Sequence, residues 1–312
     1  MRQGEAGGER RKGGRGAVGV RWRTGFDACL RRALVGSFIG LAVAAGCRPQ
    51  RDGGASAGGN GAGGAAAAVA AAPADSAPLA IVPRAPRGVA ADRFPAPTRP
   101  VSDIVAPRWS AEERRDDAGE ARTVLALGEV RAGTRVADIG AGDGYYVVRA
   151  ADLVGPTGRV WAQDIEADYL GLLVRRLRAR PQPNVVVALG EPHDPRLPAQ
   201  SVDVALLVHM YHEIAQPFGL LHNLYPALRP GARVLILDTT RPTGEHGTPP
   251  ALLRCELETM GYRLTRQVET APGEYVAIFA PPPSAAALTP PDSVAPRLAS
   301  RGCAALARPG AR

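Results

Sequence analysis

Between residues 101 and 280, short apolar runs alternate with amphipathic stretches, and this alternation constrains the chain more than any other feature. In order come TRVADIG, YYVVRAADLV, GRVWAQDI, ADYLGLLVRRLRAR and NVVVALG, then VDVALLVHM, FGLLHNLYPALR, ARVLILDTT and ALLRCELETMG, and finally YRLTRQVET and EYVAIFA. Taken as strands and helices in turn, closed by two strands, they predict an α/β three-layer sandwich around a mostly parallel sheet. The continuously apolar VLIL has the character of a strand covered on both faces. Ser110 with Glu113 has the spacing of a capping box opening a helix toward Leu127.

Both flanks differ in composition from this core. Residues 48–100 and 281–312 are rich in Ala, Gly and Pro and poor in large apolar side chains. Such stretches bury too little surface to offset their ordering entropy, so a disordered linker and a disordered tail are expected. Residues 1–47 have the layout of an export signal: a basic region ending in Arg31 and Arg32, then the apolar run ALVGSFIGLAVAAGC, too short to span a bilayer. Its end resembles the lipobox of bacterial lipoproteins, which implies a lipidated Cys47 and a membrane-anchored, periplasmic protein. The alternative is a cytoplasmic protein with an N-terminal extension. Of the formal net charge of +8, six units fall before Cys47. The remainder holds no basic block that would track a phosphate backbone, so nucleic acid is not an expected partner. Cys29 falls in the leader, which leaves Cys255 and Cys303 to pair, and no CxxC or metal-ligand spacing is present.

The stretch VADIGAGDGYYV sets Gly140, Gly142 and Gly144 where a strand gives way to a helix. There backbone approaches a ligand closely and helix N–H groups point outward. A dinucleotide fingerprint requires GxGxxG, but the third glycine arrives one residue early and Tyr145 takes the sixth place. Asp138 precedes the first glycine, and Asp164 ends the next strand at the separation from which an acid reaches ribose hydroxyls.

With VDVALLVHMYHEI and LRPGARVLILD following in order, residues 105–280 resemble the class I S-adenosylmethionine-dependent methyltransferases. The resemblance implies a Rossmann-like, seven-stranded sheet of order 3-2-1-4-5-7-6 with strand 7 antiparallel, and S-adenosylmethionine as cofactor. It implies further that Gly140, Gly142 and Gly144 line the methionine moiety, that Asp138 holds its amino group, and that Asp164 binds the ribose hydroxyls. Ile165 would pack on the adenine face, with Glu191 or Asp194 beside the ring. The methyl acceptor is expected to be a small molecule; the strand-4 exit is similar to that of quinone and small-molecule methyltransferases, and the Gly-Tyr pair to isoaspartyl O-methyltransferases.

An activated methyl group asks the protein for alignment and, for a protonated acceptor, a base. His209, Tyr211 and His212 are the candidates, with Glu213 able to orient an imidazole. Core packing for Tyr211 and helix capping for His212 are the competing accounts. No metal is expected: His209, His212 and Glu213 do not have HExxH spacing, and His193, His222 and His246 lie in other segments. Asp203 has a structural reading, and Asp238 faces the substrate pocket or caps a turn. Trp109, Arg114, Asp117 and Glu120 are expected on a solvated helix. Two rival functions stay open, a noncatalytic module at the envelope and a nicotinamide-dependent oxidoreductase, since fold and function are separable.

Overall fold

The computed structural model describes residues 78–105 and 112–307, all within one compact unit. The expected export signal, most of the expected linker, and Trp109 and Ser110 lie outside the described residues. Two short helices, α1 (Glu112–Asp117) and α2 (Glu120–Leu127), lead into β1 (Arg135–Ile139). There follow α3 (Tyr145–Val154), β2 (Arg159–Asp164), α4 (Ala167–Ala179), β3 (Val185–Leu189), β4 (Val202–Val208), α5 (Pro217–Leu224) and β5 (Leu228–Thr239). Last come α6 (Pro250–Thr259), the hairpin β6 (Arg263–Ala271) and β7 (Glu274–Ala280), and α7 (Pro291–Arg301) and α8 (Cys303–Leu306).

The strands form one sheet of seven in the order β3-β2-β1-β4-β5-β7-β6, with β7 antiparallel to both neighbours. This is the expected topology. It puts β1 and β4 side by side although they are far apart in sequence, so the winding of the chain reverses between them. Open α/β sheets bind ligands at such a point, outside the carboxyl ends of the strands. Register brings those ends level, Asp138 lying opposite Ala162 of β2 and Leu206 of β4.

Alternation along each central strand sorts the side chains to two cores. Val136, Val204 and Leu206 face α3 and α4, where they meet Leu170, Leu173 and Leu177. Ala137, Ile139, Ala205 and Leu207 face the other way, with Phe218, Leu221 and Leu253. A period of two on the strands and of three to four on α4 is what covers both faces.

Three expectations are corrected. The helix expected to run to Arg229 stops at Leu224, and Tyr225–Ala227 tighten into a 3-10 turn. Pro226 is the cause, having no N–H to donate and a ring that crowds the preceding turn. The tail is not wholly disordered: α7 packs on α6 through Val294 and Leu298, and α8 places Cys303 in a disulfide with Cys255, Cα to Cα 5.7 Å. A few anchors at helical spacing outweigh the Pro/Ala average, and the crosslink shortens the unfolded chain's options. Residues 78–100 of the expected linker are ordered as well. Residues 78–105 form a strap over the domain: Val187 N–H donates to Pro78 O at 2.8 Å, Leu189 N–H to Val82 O at 3.0 Å, and Arg84 Nε to Val187 O at 2.6 Å. Backbone pairing with edge strand β3, together with Leu79, Ile81 and Phe94 packed on the core, orders this segment, and it covers an edge that would otherwise invite another chain. Among the described residues no helix is long and apolar enough to cross a membrane.

Candidate functional site

A cavity of about 270 Å³ opens at the carboxyl ends of β1, β2 and β4. Its first wall is backbone. Gly140, Gly142 and Gly144 all sit at positive φ, 75°, 56° and 92°. The N–H groups of Gly140 and Ala141 donate to Gln163 O at 2.9 and 2.8 Å, pinning the turn to β2. A Cβ on Gly140 would stand 3.1 Å from Met210 Cε, so the absent side chain is what lets the two walls approach. Gly142 N–H donates to Asp164 Oδ2 at 2.8 Å and Glu166 N–H to Oδ1 at 2.9 Å. Asp164 is thereby fixed at the end of its strand, with burial raising its carboxyl above the usual range. Asp138 is buried in the same wall, and burial, reinforced by the neighbouring Asp164 charge, pushes it up to about 7.

Six of the eight expected cofactor residues line this cavity: Asp138, Gly140, Gly142, Asp164, Ile165 and Glu191. Gly144 does not. It begins α3 in the left-handed region, and a Cβ there would overlap Leu173 Cδ1, so its role is packing of helix against helix. Asp194 is likewise taken up elsewhere. Its Oδ2 accepts from Gly88 N–H at 2.7 Å and its Oδ1 from Arg196 N–H at 2.9 Å, which ties the strap to the loop after β3. Of the two acids expected beside an adenine ring, Glu191 alone borders the cavity, paired with Arg196 at 2.7 Å.

Side chains after β4 make the second wall. His209 lines the cavity at φ 52°, a left-handed conformation uncommon for a residue with a Cβ, and functional sites are where such strain is retained. Its Nε2 lies 3.8 Å from Glu120 Oε1 and 3.9 Å from Glu274 Oε2. Glu120 is not on a solvated face. It accepts from Arg115 at 2.6 Å and from the Tyr146 hydroxyl at 2.9 Å. Burial would raise its carboxyl, but the neighbouring His209 and the hydrogen bonds from Arg115 win and hold it at about 2. Arg115, which the sequence did not single out, lines the cavity with its guanidinium 3.7 Å from the centre of the Tyr145 ring. It lies five positions before Glu120, a spacing without helical meaning, so no local signal announced the pair.

Glu213 lines the cavity and accepts from Val105 N–H at 3.2 Å; burial, only partly offset by that bond, pushes its carboxyl up to about 7. Behind it His212 is buried, its Nδ1 3.0 and 3.1 Å from the two oxygens of Asp238. Asp238 also accepts from Thr248 Oγ1 at 2.7 Å and from Thr239 N–H at 2.8 Å. His212 Nε2 lies 3.8 Å from Glu213 Oε1, and the loop after β5 brings His246 Nδ1 to 4.0 Å from the same oxygen. The sequence expectation that His246 is unrelated to this cluster is thus corrected by the fold.

Tyr211 is removed from the candidate catalytic group. It is fully buried, its hydroxyl donates to Glu256 Oε2 at 2.8 Å, and Arg99 completes the cluster through Nε to Glu256 Oε1 at 3.1 Å. This buried ion pair does not line the cavity, and removing one member would strand a charge. Asp203 is structural as expected, accepting from Arg135 N–H at 2.9 Å and pairing with Arg229 at 2.7 Å.

The comparisons bear on this same segment. Residues 136–231 match the model of a family described as a methyltransferase domain. The matched segment holds the glycine turn, Asp164, His209 and Glu213. A ubiquinone/menaquinone biosynthesis C-methyltransferase UbiE from Pseudomonas savastanoi pv. phaseolicola is 30% identical over 125 residues, 40% of this chain and 49% of that protein. The protein of the same name from Pseudomonas putida is 29% identical over 125 residues, with the same shares. The chain therefore spans about half the length of the curated relatives it matches. Among solved structures, a SAM dependent methyltransferase from Aquifex aeolicus shares 24% identity, covering 54% of this chain and 95% of that one with a TM-score of 0.49.

Proposed function

We propose that the protein transfers the methyl group of S-adenosylmethionine to a small, largely apolar acceptor. The observation that carries this reading is that one cavity joins the glycine turn, Asp138 and the fixed Asp164 to His209 and Glu213 across the β1–β4 junction. The residues present fit the cofactor. Asp164 presents carboxylate oxygens to ribose hydroxyls, Asp138 meets a cationic amino group, and Ile165 offers an apolar face near Glu191 for the base. When bound, the cofactor supplies an already activated methyl, so the chain has two remaining tasks, alignment and proton removal. Ile104, Val105, Met210 and Ile214 give the acceptor space its apolar walls. His209 stands at that space as the proton acceptor, and Glu213 borders the same space with His212 behind it. The quinone-pathway name of the relatives supports an apolar ring as acceptor.

Calorimetric titration of the full chain with S-adenosylmethionine and its demethylated product tests the cofactor assignment, with micromolar binding expected and its loss in Asp164→Ala. Absence of binding in a demonstrably folded protein overturns it.

A second reading, a noncatalytic methyltransferase-fold module at the cell envelope, draws support from the Cys255–Cys303 disulfide. Such bonds persist in oxidising compartments, where the sulfonium cofactor is not expected. The lipobox-like segment ending at Cys47 supports the same location, as a lipid-anchored periplasmic protein. Partition of the native protein into a detergent phase, lost in Cys47→Ala, is the result expected of anchoring; an unprocessed protein in the aqueous phase rejects it.

A further inference from the structure

We propose that His212, Glu213 and His246 bind one divalent first-row cation of the zinc type at the acceptor end of the cavity. The sequence contains five histidines, and two of them, from separate segments, converge on one carboxylate here. One ligand atom from each residue lies within 4.8 Å of the others, with Glu213 Oε1 at 3.8 Å from His212 Nε2 and 4.0 Å from His246 Nδ1. Ligands around a tetrahedral zinc, each about 2.0–2.1 Å from the ion, stand roughly 3.4 Å apart, so modest side-chain rotations close the set.

The surroundings are those of a prepared site. His212 commits Nδ1 to Asp238 and so turns Nε2 toward Glu213, the carboxylate–histidine arrangement that orients metal-binding imidazoles. Thr248 and the Thr239 amide hold that carboxylate in turn. His246 is held in the left-handed region, φ 55°, with its N–H donating to Ser102 Oγ at 3.3 Å and its carbonyl accepting from Thr239 Oγ1 at 3.1 Å. Its ring stands edge-on to that of His212 with centroids 5.5 Å apart. Its Nδ1 is nonetheless buried and makes no hydrogen bond, an arrangement that costs free energy unless something electrophilic is supplied. Two imidazole nitrogens and one carboxylate suit zinc, iron(II) or cobalt(II) better than magnesium or calcium, which prefer oxygen alone. Three protein ligands leave a coordination position open, and Glu213 borders the cavity, so an oxygen of the acceptor would reach the ion from there. That last role rests on the proposed methyl transfer; the binding site does not.

The test uses the full chain, stripped with a chelator and titrated calorimetrically with Zn²⁺, and separately with Co²⁺ while visible absorption is recorded. One ion per chain with micromolar or tighter affinity is expected, together with the intense visible bands of low-coordinate cobalt. His246→Ala and Glu213→Gln should each weaken binding at least about 100-fold, and Asp238→Asn by about 10–100-fold through the imidazole it orients. No binding by the folded protein overturns the proposal, as does binding that His246→Ala leaves unchanged, which would assign the ion to thiols or other groups. A parallel titration of the same sample with S-adenosylmethionine separates this outcome from the cofactor reading, since either ligand can bind while the other fails.

Discussion

On the wall of the cavity built after β1 and β2, backbone does the holding: glycines at positive φ let main-chain atoms approach, and Asp164 is fastened by two amides of neighbouring turns. On the wall built after β4 and β5, side chains do it, braced by partners far along the chain, Glu213 by the Val105 N–H at a separation of 108 residues and His212 behind it by Asp238 at 26. A wall of backbone tolerates little change because conformation itself is the function. A wall of side chains can be retuned one residue at a time while the fold persists. The first wall suits a constant cofactor, and the second a variable acceptor.

The largest effect that would sharpen this contrast is at Asp164. Asp164→Ala should weaken S-adenosylmethionine binding more than about 100-fold in calorimetry, since hydrogen bonds to a charged group contribute about 1.5–3 kcal/mol each and two ribose hydroxyls are lost. Retained affinity would move the cofactor off this wall. Next is Gly144→Ala, which forces a side chain into the left-handed region and against Leu173; a loss of about 2–4 kcal/mol of stability in urea titration is expected from strain plus overpacking. A loss near zero would mean that the backbone wall is softer than the contrast requires. Tyr211→Phe follows, costing about 1–2 kcal/mol of stability through the buried Glu256 left short of a donor, while cofactor affinity and turnover stay within about twofold. A drop in turnover would return Tyr211 to the reacting group.

The smallest effect is a pH dependence of the backbone wall. Without ligand, Asp138 titrates at about 7, and a cationic cofactor favours its ionised form. Affinity should therefore rise about tenfold between pH 6 and 8 and then level off, with a proton released on binding, and Asp138→Asn should flatten the profile. The same raised carboxyl means that the ligand-free fold binds more protons than the unfolded chain between roughly pH 4 and 7. Its contribution to stability is greatest at the acid end of that window and declines as pH rises through it. A flat affinity profile in the unsubstituted protein would place the cofactor's amino group away from Asp138.

The sequence was legible where constraints are local. A strand, a glycine turn and a helix leave their mark within a dozen residues, and Asp164 follows at a fixed interval because one α/β unit has a set length. Sheet order was implied only by the resemblance to the class I methyltransferases; the alternation of strands and helices alone predicts a mostly parallel sheet and leaves its order open. The second wall was legible only in part: His209 and Glu213 were found because they follow β4 closely, whereas Arg115 and His246 arrive through tertiary packing that no spacing encodes. Tyr211 and His212, adjacent in sequence, fall into different clusters because the short turn after β4 points them apart. The flanks were misread for a related reason. Average composition hides single anchors, and Arg99 is held by Glu256 from 157 residues away.

The strap over residues 78–105 carries a consequence for the order of assembly. It is synthesised before every strand of the sheet, yet its partners are Val187, Asp194, His212 and Glu256. Contacts this distant in sequence require loop closure before they give anything back, so they form slowly. A segment that leaves the ribosome ahead of every strand is thus the last to dock, and until it does the edge of β3 stands bare to any chain folding beside it.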